Sequence, residues 1–144
     1  MTRELEVAVA AATAAGEVLR DGFGRRHEVR YKGEVDLVTE ADEKEEQTIQ
    51  EVLGEAFPNY GVLSEEGGEF EGQGNTRWVI DPLDGTTNYA HSLPIFTVSI
   101  ALEKAGEVVL GVVYDPMSEE TYATERGGGA TLNREPIEVS DTTS

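Results

Sequence analysis

The residues with the clearest chemical potential form one run, Ile80–Asn88, with the sequence IDPLDGTTN. Its two carboxylates, Asp81 and Asp84, are three residues apart at the predicted end of a buried strand, and they can converge across a turn. Hard divalent cations such as Mg²⁺ prefer oxygen ligands, and the backbone carbonyl between the two aspartates is a third candidate. The amides of Gly85 and Thr86 can begin a helix, where unpaired N–H groups favour a phosphate. The run therefore predicts adjacent metal and phosphate sites, as phosphoryl transfer to water requires.

Three other interpretations of this run are weaker. Asp-Pro and Asp-Gly are common in ordinary turns, but the whole run directly after an apolar strand favours a functional site. A phosphatase with an aspartyl nucleophile needs two aspartates that are two residues apart, whereas Asp81 and Asp84 are three apart. A calcium loop that began at Asp81 would place Leu83, Gly85 and Ser92 where acidic ligands are required. Metal and phosphate binding is therefore the preferred interpretation.

The run and two other stretches resemble the inositol monophosphatase family, which includes fructose-1,6-bisphosphatases, histidinol-phosphate phosphatases and nucleotide-sulfate-pathway phosphatases. Trp78–Asn88 matches the family's first signature without a mismatch. Asp36–Asp42 is similar to its Asp-Leu-Val-Thr-x-x-Asp element, and Ser64–Glu66 is similar to its Gly/Ser-Glu-Glu element. The resemblance covers nearly all 144 residues. It implies Mg²⁺-dependent hydrolysis of a sugar or inositol phosphate monoester by metal-activated water.

The resemblance also implies which residues bind the metal. Each of them occupies the position of a metal ligand in the family. The implied ligands are Glu65, Asp81, the backbone carbonyl of Leu83, and Asp84. The family binds Mg²⁺ with these groups, so the expected cofactor is Mg²⁺.

Catalytic and substrate-binding roles follow from the same resemblance. In the family, the residue at the position of Glu65 also holds and deprotonates the attacking water. Thr86 corresponds to the threonine that orients this water, paired with the acid at the position of Asp42. The residues expected to contact the substrate all lie in the signature run, and they are Leu83, Asp84, Gly85 and Thr86.

The sequence contains the first signature of the family but not the second. That second signature is a Trp-Asp element that supplies another metal-binding aspartate, whereas Trp78 is the only tryptophan here. We therefore expect residues 1–144 to be the N-terminal metal-binding domain of a longer phosphatase. Inositol 1-phosphate and fructose 1,6-bisphosphate are the leading substrates. The alternative is a fragment that binds metal or phosphate without catalysis because it lacks the second-metal aspartate.

The charge of the chain excludes several partners. There are 29 acidic and 11 basic residues, which gives a net charge of −18. Nucleic acids and anionic membranes are excluded as partners, because binding either requires Lys and Arg to neutralise phosphates. Salt screens the self-repulsion of such a surface, so we expect a halophilic source. The alternative is an ordinary acidic cytosolic protein.

The expected location is the cytoplasm. Glu4 and Glu6 interrupt the apolar N-terminal stretch, so this stretch does not predict a signal peptide. The chain contains no cysteine, which excludes thiolate chemistry and a thiolate metal site.

The oligomeric state is expected from the resemblance alone, which implies a homodimer.

Two helices followed by strands must position these residues. Apolar residues recur at helical spacing from residue 4 to about 23, and Gly22 and Gly24 are predicted to end this helix. Thr39 is predicted to begin a second helix in capping-box style, with Asp42 three residues later. Pro58 is predicted to stop it. The buried stripe of this helix is Ile49, Val52, Leu53 and Phe57.

The remaining elements are predicted as short strands, which together with the helices indicate an α+β fold. Residues 104–107 form a predicted hairpin turn, and residues 65–75 form a predicted acidic loop. The resemblance implies the layered α/β sandwich of the sugar phosphatases, here as a helix pair and a largely antiparallel sheet. The predicted strands are 27–31, 62–64, 78–80, 95–102, 108–114, 121–124 and 137–139.

Overall fold

Two helices and one eight-stranded sheet make up the computed structural model, which describes residues 2–28, 34–64, 68–70, 75–84 and 96–137. Side chains are described for residues 2–22, 43–64, 75–80 and 96–137. The helices are α1 (Arg3–Glu28) and α2 (Glu34–Ala56). The predicted α+β class is confirmed. The strands are β1 (Gly61–Ser64), β2 (Gly68–Phe70), β3 (Thr76–Asp84), β4 (Thr97–Lys104), β5 (Glu107–Asp115), β6 (Glu120–Glu125), β7 (Gly129–Leu132) and β8 (Glu135–Ile137).

Helix α1 begins behind an N-terminal cap. The backbone N–H of Leu5 donates to the hydroxyl of Thr2 at 3.2 Å, which satisfies one of the amides that a helix start leaves unpaired. The prediction that Gly22 and Gly24 end the helix is wrong, because α1 continues to Glu28. A glycine inside a helix costs only about 1 kcal/mol, which is too little to stop a long one. Residues 27 and 28 are thus helical and not the start of a strand.

Helix α2 begins earlier than predicted. It starts at Glu34, so Thr39 lies inside the helix and is not its cap. The sequence from Glu34 to Asp42 contains neither glycine nor proline, and nothing in it interrupts helical hydrogen bonding. The predicted end is confirmed, because α2 stops at Ala56, two residues before Pro58.

The predicted apolar stripe of α2 is confirmed. Ile49 and Leu53 are fully buried, and Val52 and Phe57 are partly buried against the core. Residues at this spacing share one face of a helix, so this face packs inward.

The strands form a single sheet in the order β2-β1-β3-β4-β5-β6-β7-β8. Strand β1 runs parallel to β3, and every other neighbouring pair is antiparallel. Strands β2 and β7 were not predicted, because three or four residues are too few to show an alternating pattern. The 104–107 turn is confirmed: Ala105 and Gly106 have φ values of 52° and 82°, which suit a two-residue hairpin turn.

Both helices pack on the same face of the sheet. Helix α1 contacts β4, β5, β6 and α2, and α2 also contacts β3. The fully buried side chains of this layer include Trp78 and Phe96, and Tyr60 is partly buried beside Trp78. No helix in the described part of the chain is long and apolar enough to cross a membrane.

Candidate functional site

Strand β3 is irregular where two of the predicted metal ligands lie. Asp81 pairs with Ser99 of β4 and Asp84 pairs with Thr97, so three steps along β3 match two steps along β4. The strand therefore contains one extra residue between the aspartates, which is a β-bulge. Directly paired residues share a face of the sheet, and so do residues two apart in β4. Asp81 and Asp84 thus occupy register positions on one face, which a spacing of three in a regular strand would not give.

The bulge also corrects the predicted end of the strand. The sequence indicated that the strand stops at Asp81 and that the aspartates converge across a turn, whereas β3 continues to Asp84. A bulge of this kind re-aims the residues around it and is common beside active sites. The sequence pattern could not reveal it, because a bulge breaks the alternation from which a strand is recognised.

The parallel pairing of β1 and β3 brings a second candidate segment to the same place. Ser64, the last residue of β1, is in register with Ile80 of β3. Glu65 directly follows Ser64 in sequence, and Asp81 directly follows Ile80. Glu65 itself lies outside the described residues. The two predicted ligands, Glu65 and Asp81, thus each follow one of a pair of residues that are in register on neighbouring parallel strands.

Helix α2 supplies the third candidate segment. Asp42 precedes the fully buried residues Glu45 and Ile49 by three and seven positions, which is the spacing of a single helix face. The position of Asp42 therefore belongs to the face of α2 that packs inward. The charged stretch after Asp42 is exposed at Glu43, Lys44 and other positions, whereas Glu45 is buried.

A side-chain hydrogen bond joins α2 to the end of β1. The hydroxyl of Ser64 donates to a carboxylate oxygen of Glu46. Ser64 is buried, with 2% of its surface exposed, and Glu46 is partly buried. This bond lies one residue before Glu65 and one helical turn after Asp42. Sequence reasoning missed it, although Glu46 is three residues before Ile49, at the spacing of the buried helix face.

The seven predicted site residues divide according to how much of each the structure describes. For four of them the backbone is described and the side chain lies outside the described part: Asp42, Asp81, Leu83 and Asp84. Three lie wholly outside the described residues: Glu65, Gly85 and Thr86. The metal ligation and the phosphate contacts therefore stay predictions. Among the described residues, no group of three or more His, Cys, Asp or Glu could hold a metal ion.

The chemistry of the predicted donor set fits Mg²⁺. The donors are carboxylates and one backbone carbonyl, and the chain contains no cysteine that would favour a softer metal. Several carboxylates held together repel one another, and this repulsion is relieved when a cation binds between them. The bulge and the parallel strand ends therefore suit a hard divalent cation better than an uncharged ligand.

A second polar cluster joins α1 to the residue that precedes β1 and to the last residue of β4. The hydroxyl of Tyr60 donates to Glu4 at 2.6 Å, and the ammonium of Lys104 donates to the other carboxylate oxygen of Glu4 at 3.2 Å. The hydrogen bond to Glu4, assisted by partial burial, raises the pKa of Tyr60 to about 12. These groups form a structural tie for α1, since none of the predicted site residues belongs to them.

Comparison with known proteins gives a consistent result. A model of the inositol monophosphatase family matches residues 1–144. Inositol-1-monophosphatase of Mesorhizobium japonicum is 48% identical over 139 residues, which are 94% of this chain and 52% of that protein. Fructose-1,6-bisphosphatase/inositol-1-monophosphatase of Aquifex aeolicus is 43% identical over 147 residues, covering 100% of this chain and 55% of that protein.

Solved structures agree with these sequence matches. Inositol monophosphatase from Anabaena (Nostoc) sp. PCC 7120 aligns with a TM-score of 0.83 at 43% identity, covering 96% of this chain and 50% of that one. The extragenic suppressor protein suhB from Bartonella henselae aligns with a TM-score of 0.87 at 40% identity, covering 97% and 55%. The chain spans about half the length of the curated relatives that it matches.

Proposed function

The chain belongs to the inositol monophosphatase family, and from this premise we propose that the whole protein is a Mg²⁺-dependent phosphomonoesterase. Its substrate is a sugar or inositol phosphate, with inositol 1-phosphate and fructose 1,6-bisphosphate as the leading candidates. The names of the Mesorhizobium japonicum and Aquifex aeolicus relatives support this choice. Residues 1–144 are its N-terminal metal-binding domain.

The register at the site end of the sheet is the observation that carries the proposal. The bulge puts Asp81 and Asp84 in register with one face of β4, and the β1–β3 pairing ends one residue before Glu65 and Asp81. Two aspartates three residues apart in a regular strand would belong to opposite faces, where they could not bind one cation. The backbone thus has the irregularity that the proposed ligand set needs.

The proposed roles divide the reaction among a few groups. Bound Mg²⁺ supplies neutralisation of phosphate charge and acidification of a water molecule. The carboxylates of Asp81 and Asp84 and the carbonyl of Leu83 hold the cation. Glu65 contributes a further oxygen ligand and accepts the proton of the attacking water.

Orientation of the water and the substrate is assigned to three other residues. The hydroxyl of Thr86 donates to Asp42 and, through its oxygen, accepts a hydrogen bond from the water, which fixes the direction of attack. The backbone N–H groups of Gly85 and Thr86 donate to the oxygens of the substrate phosphate. These three residues increase the reaction rate most when the water and the phosphate are held within a fraction of an ångström of the reactive geometry.

The test is Mg²⁺-dependent phosphate release from inositol 1-phosphate and fructose 1,6-bisphosphate in molar KCl. We expect Asp84→Asn to lose more activity than the ~10–100-fold typical of residues that only support metal ligands. Asp21→Asn is the matched control, because Asp21 is an exposed aspartate on α1, which carries none of the predicted site residues.

The outcomes separate the enzyme from a binding fragment. Release that Asp84→Asn abolishes supports the phosphatase, and the ratio of the two rates identifies the preferred substrate. Mg²⁺ binding without phosphate release would instead support the non-catalytic fragment that lacks the second-metal aspartate. Release that is independent of Mg²⁺ would contradict the proposal.

The setting of the protein is also proposed. We infer a salt-rich cytoplasm, a homodimer, and no nucleic-acid or membrane partner. The net charge of −18 supports the salt requirement and the absence of polyanionic partners, because salt screens repulsion among exposed carboxylates. A melting temperature that does not rise with molar KCl would contradict the salt requirement, and a monomeric mass in sedimentation would contradict the homodimer.

A further inference from the structure

The contact between Ser64 and Glu46 has features of a positioning bond. A hydroxyl that donates to an ionised carboxylate forms a stronger and more directional bond than one between neutral groups. The donor is almost fully buried and the acceptor is partly buried, so water competes little for either. Glu46 lies four residues after Asp42, and Ser64 lies one residue before Glu65. Neither Ser64 nor Glu46 is a predicted ligand.

The contact links three segments that carry predicted site residues. Glu46 lies four residues after Asp42 in α2, which places both on one helix face. Ser64 directly precedes Glu65 in sequence and is in register with Ile80 of β3. Ile80 in turn directly precedes Asp81. A displacement of α2 along β1 would therefore move Asp42 relative to Glu65 and Asp81.

Apolar packing alone does not fix this displacement well. Ile49 and Leu53 hold α2 against the sheet, but the attraction between apolar surfaces is non-directional. A hydrogen bond weakens steeply when its length or angle changes. The apolar contacts thus set the distance between helix and sheet, and the Ser64–Glu46 bond sets the register of one along the other.

We propose that Ser64 and Glu46 are positioning residues, whose hydrogen bond fixes Asp42 on α2 relative to Glu65 and Asp81 at the strand ends. The inference rests on the proposed function, because it gives the bond a purpose only if those three residues act at one site. Its role is to hold Asp42 and the proposed ligands Glu65 and Asp81 in one arrangement, and neither Ser64 nor Glu46 is assigned a contact with substrate.

The first experiment measures the affinity of the chain for Mg²⁺ by calorimetry in molar KCl, at a temperature well below unfolding. We expect Ser64→Ala to weaken binding about tenfold or more, as residues that support metal ligands typically do. Ser64→Thr keeps the hydroxyl, and we expect its affinity to stay within about threefold of the wild type. The matched control is Thr48→Ala, which removes a hydroxyl whose hydrogen bond in the described part of the chain is local, to the carbonyl of Lys44 in α2.

The second experiment measures amide hydrogen exchange without metal. We expect Ser64→Ala to speed exchange at Ser64 and Ile80, where the strand end loses its tie to α2, and to leave Val112 in the central strand unchanged. Unchanged exchange at Ser64 and Ile80 would overturn the inference even if metal affinity fell.

The results distinguish this inference from the proposed function. If wild type binds Mg²⁺, Asp84→Asn does not, and Ser64→Ala binds as wild type does, the inference alone fails. Equal losses in Ser64→Ala and Thr48→Ala, or no rescue by Ser64→Thr, would also overturn it, because the effect would then be general destabilisation. If wild type binds no Mg²⁺, or Asp84→Asn binds as well as wild type, the proposed metal site fails and takes this inference with it.

Discussion

The two faces of the sheet differ in cover although they are built from the same strands. On the helix-covered face, Val112 of β5 is 1% exposed, whereas its neighbour Val113, on the other face, is 38% exposed. A groove runs along this second, open face. Among the described residues, none that lines the groove is charged, and those that share the face of Val113 include Ser99, Ala101, Tyr122 and Thr124.

This difference shows that a strand face can have the composition of a buried surface even where no described element packs on it. A sheet with one solvated face usually alternates apolar and polar residues, while strands buried on both faces read as nearly continuous apolar runs. Residues 108–114 of β5, VVLGVVY, follow the second pattern. In a chain with 29 acidic residues, an uncharged groove is a notable departure. The open face therefore has the composition of a buried surface, and no described element packs on it.

The largest expected difference between the faces comes from a pair of neighbouring valines. We expect Val112→Ala to lower the free energy of unfolding by about 2–3 kcal/mol, because it removes buried methyl groups and leaves a cavity. Val113→Ala should cost less than about 1 kcal/mol, because Val113 already contacts solvent. Urea unfolding measures both, and equal losses would show that the open face is as well covered in solution as the helix face.

A pair of glycines sharpens the comparison on the helix side. A Cβ at Gly16 of α1 would lie 2.2 Å from the ring of Tyr114, whereas one at Gly54 of α2 would meet nothing within 4 Å. We expect Gly16→Ala to destabilise the protein by roughly 1–3 kcal/mol through overpacking. Gly54→Ala should stabilise it by about 0.5–1 kcal/mol, because alanine is the better helix former.

Thermal unfolding of the two glycine variants is the measurement. Opposite shifts in melting temperature would confirm that α1 packs closely on β5 at Gly16. A stabilised Gly16→Ala would mean that the helix lies farther from Tyr114 than the structure has it.

The smallest expected effect is in the ionisation of two tyrosines, Tyr60 on the helix side of the sheet and Tyr122 on the open face. The pKa of Tyr60 is raised from 10.0 to about 12, chiefly by its hydrogen bond to Glu4. Because the folded state resists ionisation, this stabilisation is complete below pH 10 and is lost as the pH rises from about 10 to 12. The pKa of Tyr122 on the open face is also raised, chiefly by a 3.2 Å hydrogen bond to Glu120.

Titration of tyrosinate absorbance in Tyr60→Phe and Tyr122→Phe separates the two groups. We expect Tyr60→Phe to remove a component that ionises near pH 12, and Glu4→Gln to move that component to lower pH. A Tyr60 that ionises near its ordinary pKa of 10 would show that the contact with Glu4 is not maintained in solution.

The sequence predicted those parts of the fold that depend on long periodic patterns. The buried stripe of α2 and the hairpin between β4 and β5 follow from spacing and composition, and the structure confirms them. The predicted end of α1 was wrong, because a glycine inside a helix costs only about 1 kcal/mol and does not stop a long helix. The predicted start of α2 was also wrong, because the helix begins at Glu34 and the threonine with an acid three residues later lies inside it.

The candidate site was predictable in residue identity but not in backbone geometry. The signature run identified Asp81 and Asp84, yet only the pairing with β4 reveals the bulge that puts them in register with one face. Likewise, the bond from Ser64 to Glu46 joins residues 18 apart in sequence. Such contacts depend on how strands and helices meet, and this information is spread over the whole fold and not contained in a local pattern.

Helix α1 is made before the strands on which it packs, and some of its polar partners lie about a hundred residues later in the chain. Thr2 donates to Glu125 at 2.5 Å, and Arg20 donates to the carbonyl of Pro116. At a synthesis rate of ~5–20 residues per second, the ribosome needs roughly 6–25 s to reach residue 125. During this interval the sheet that covers the apolar stripe of α1 is incomplete, which makes the stripe a natural ligand for chaperones. A segment made early is therefore among the last to complete its packing.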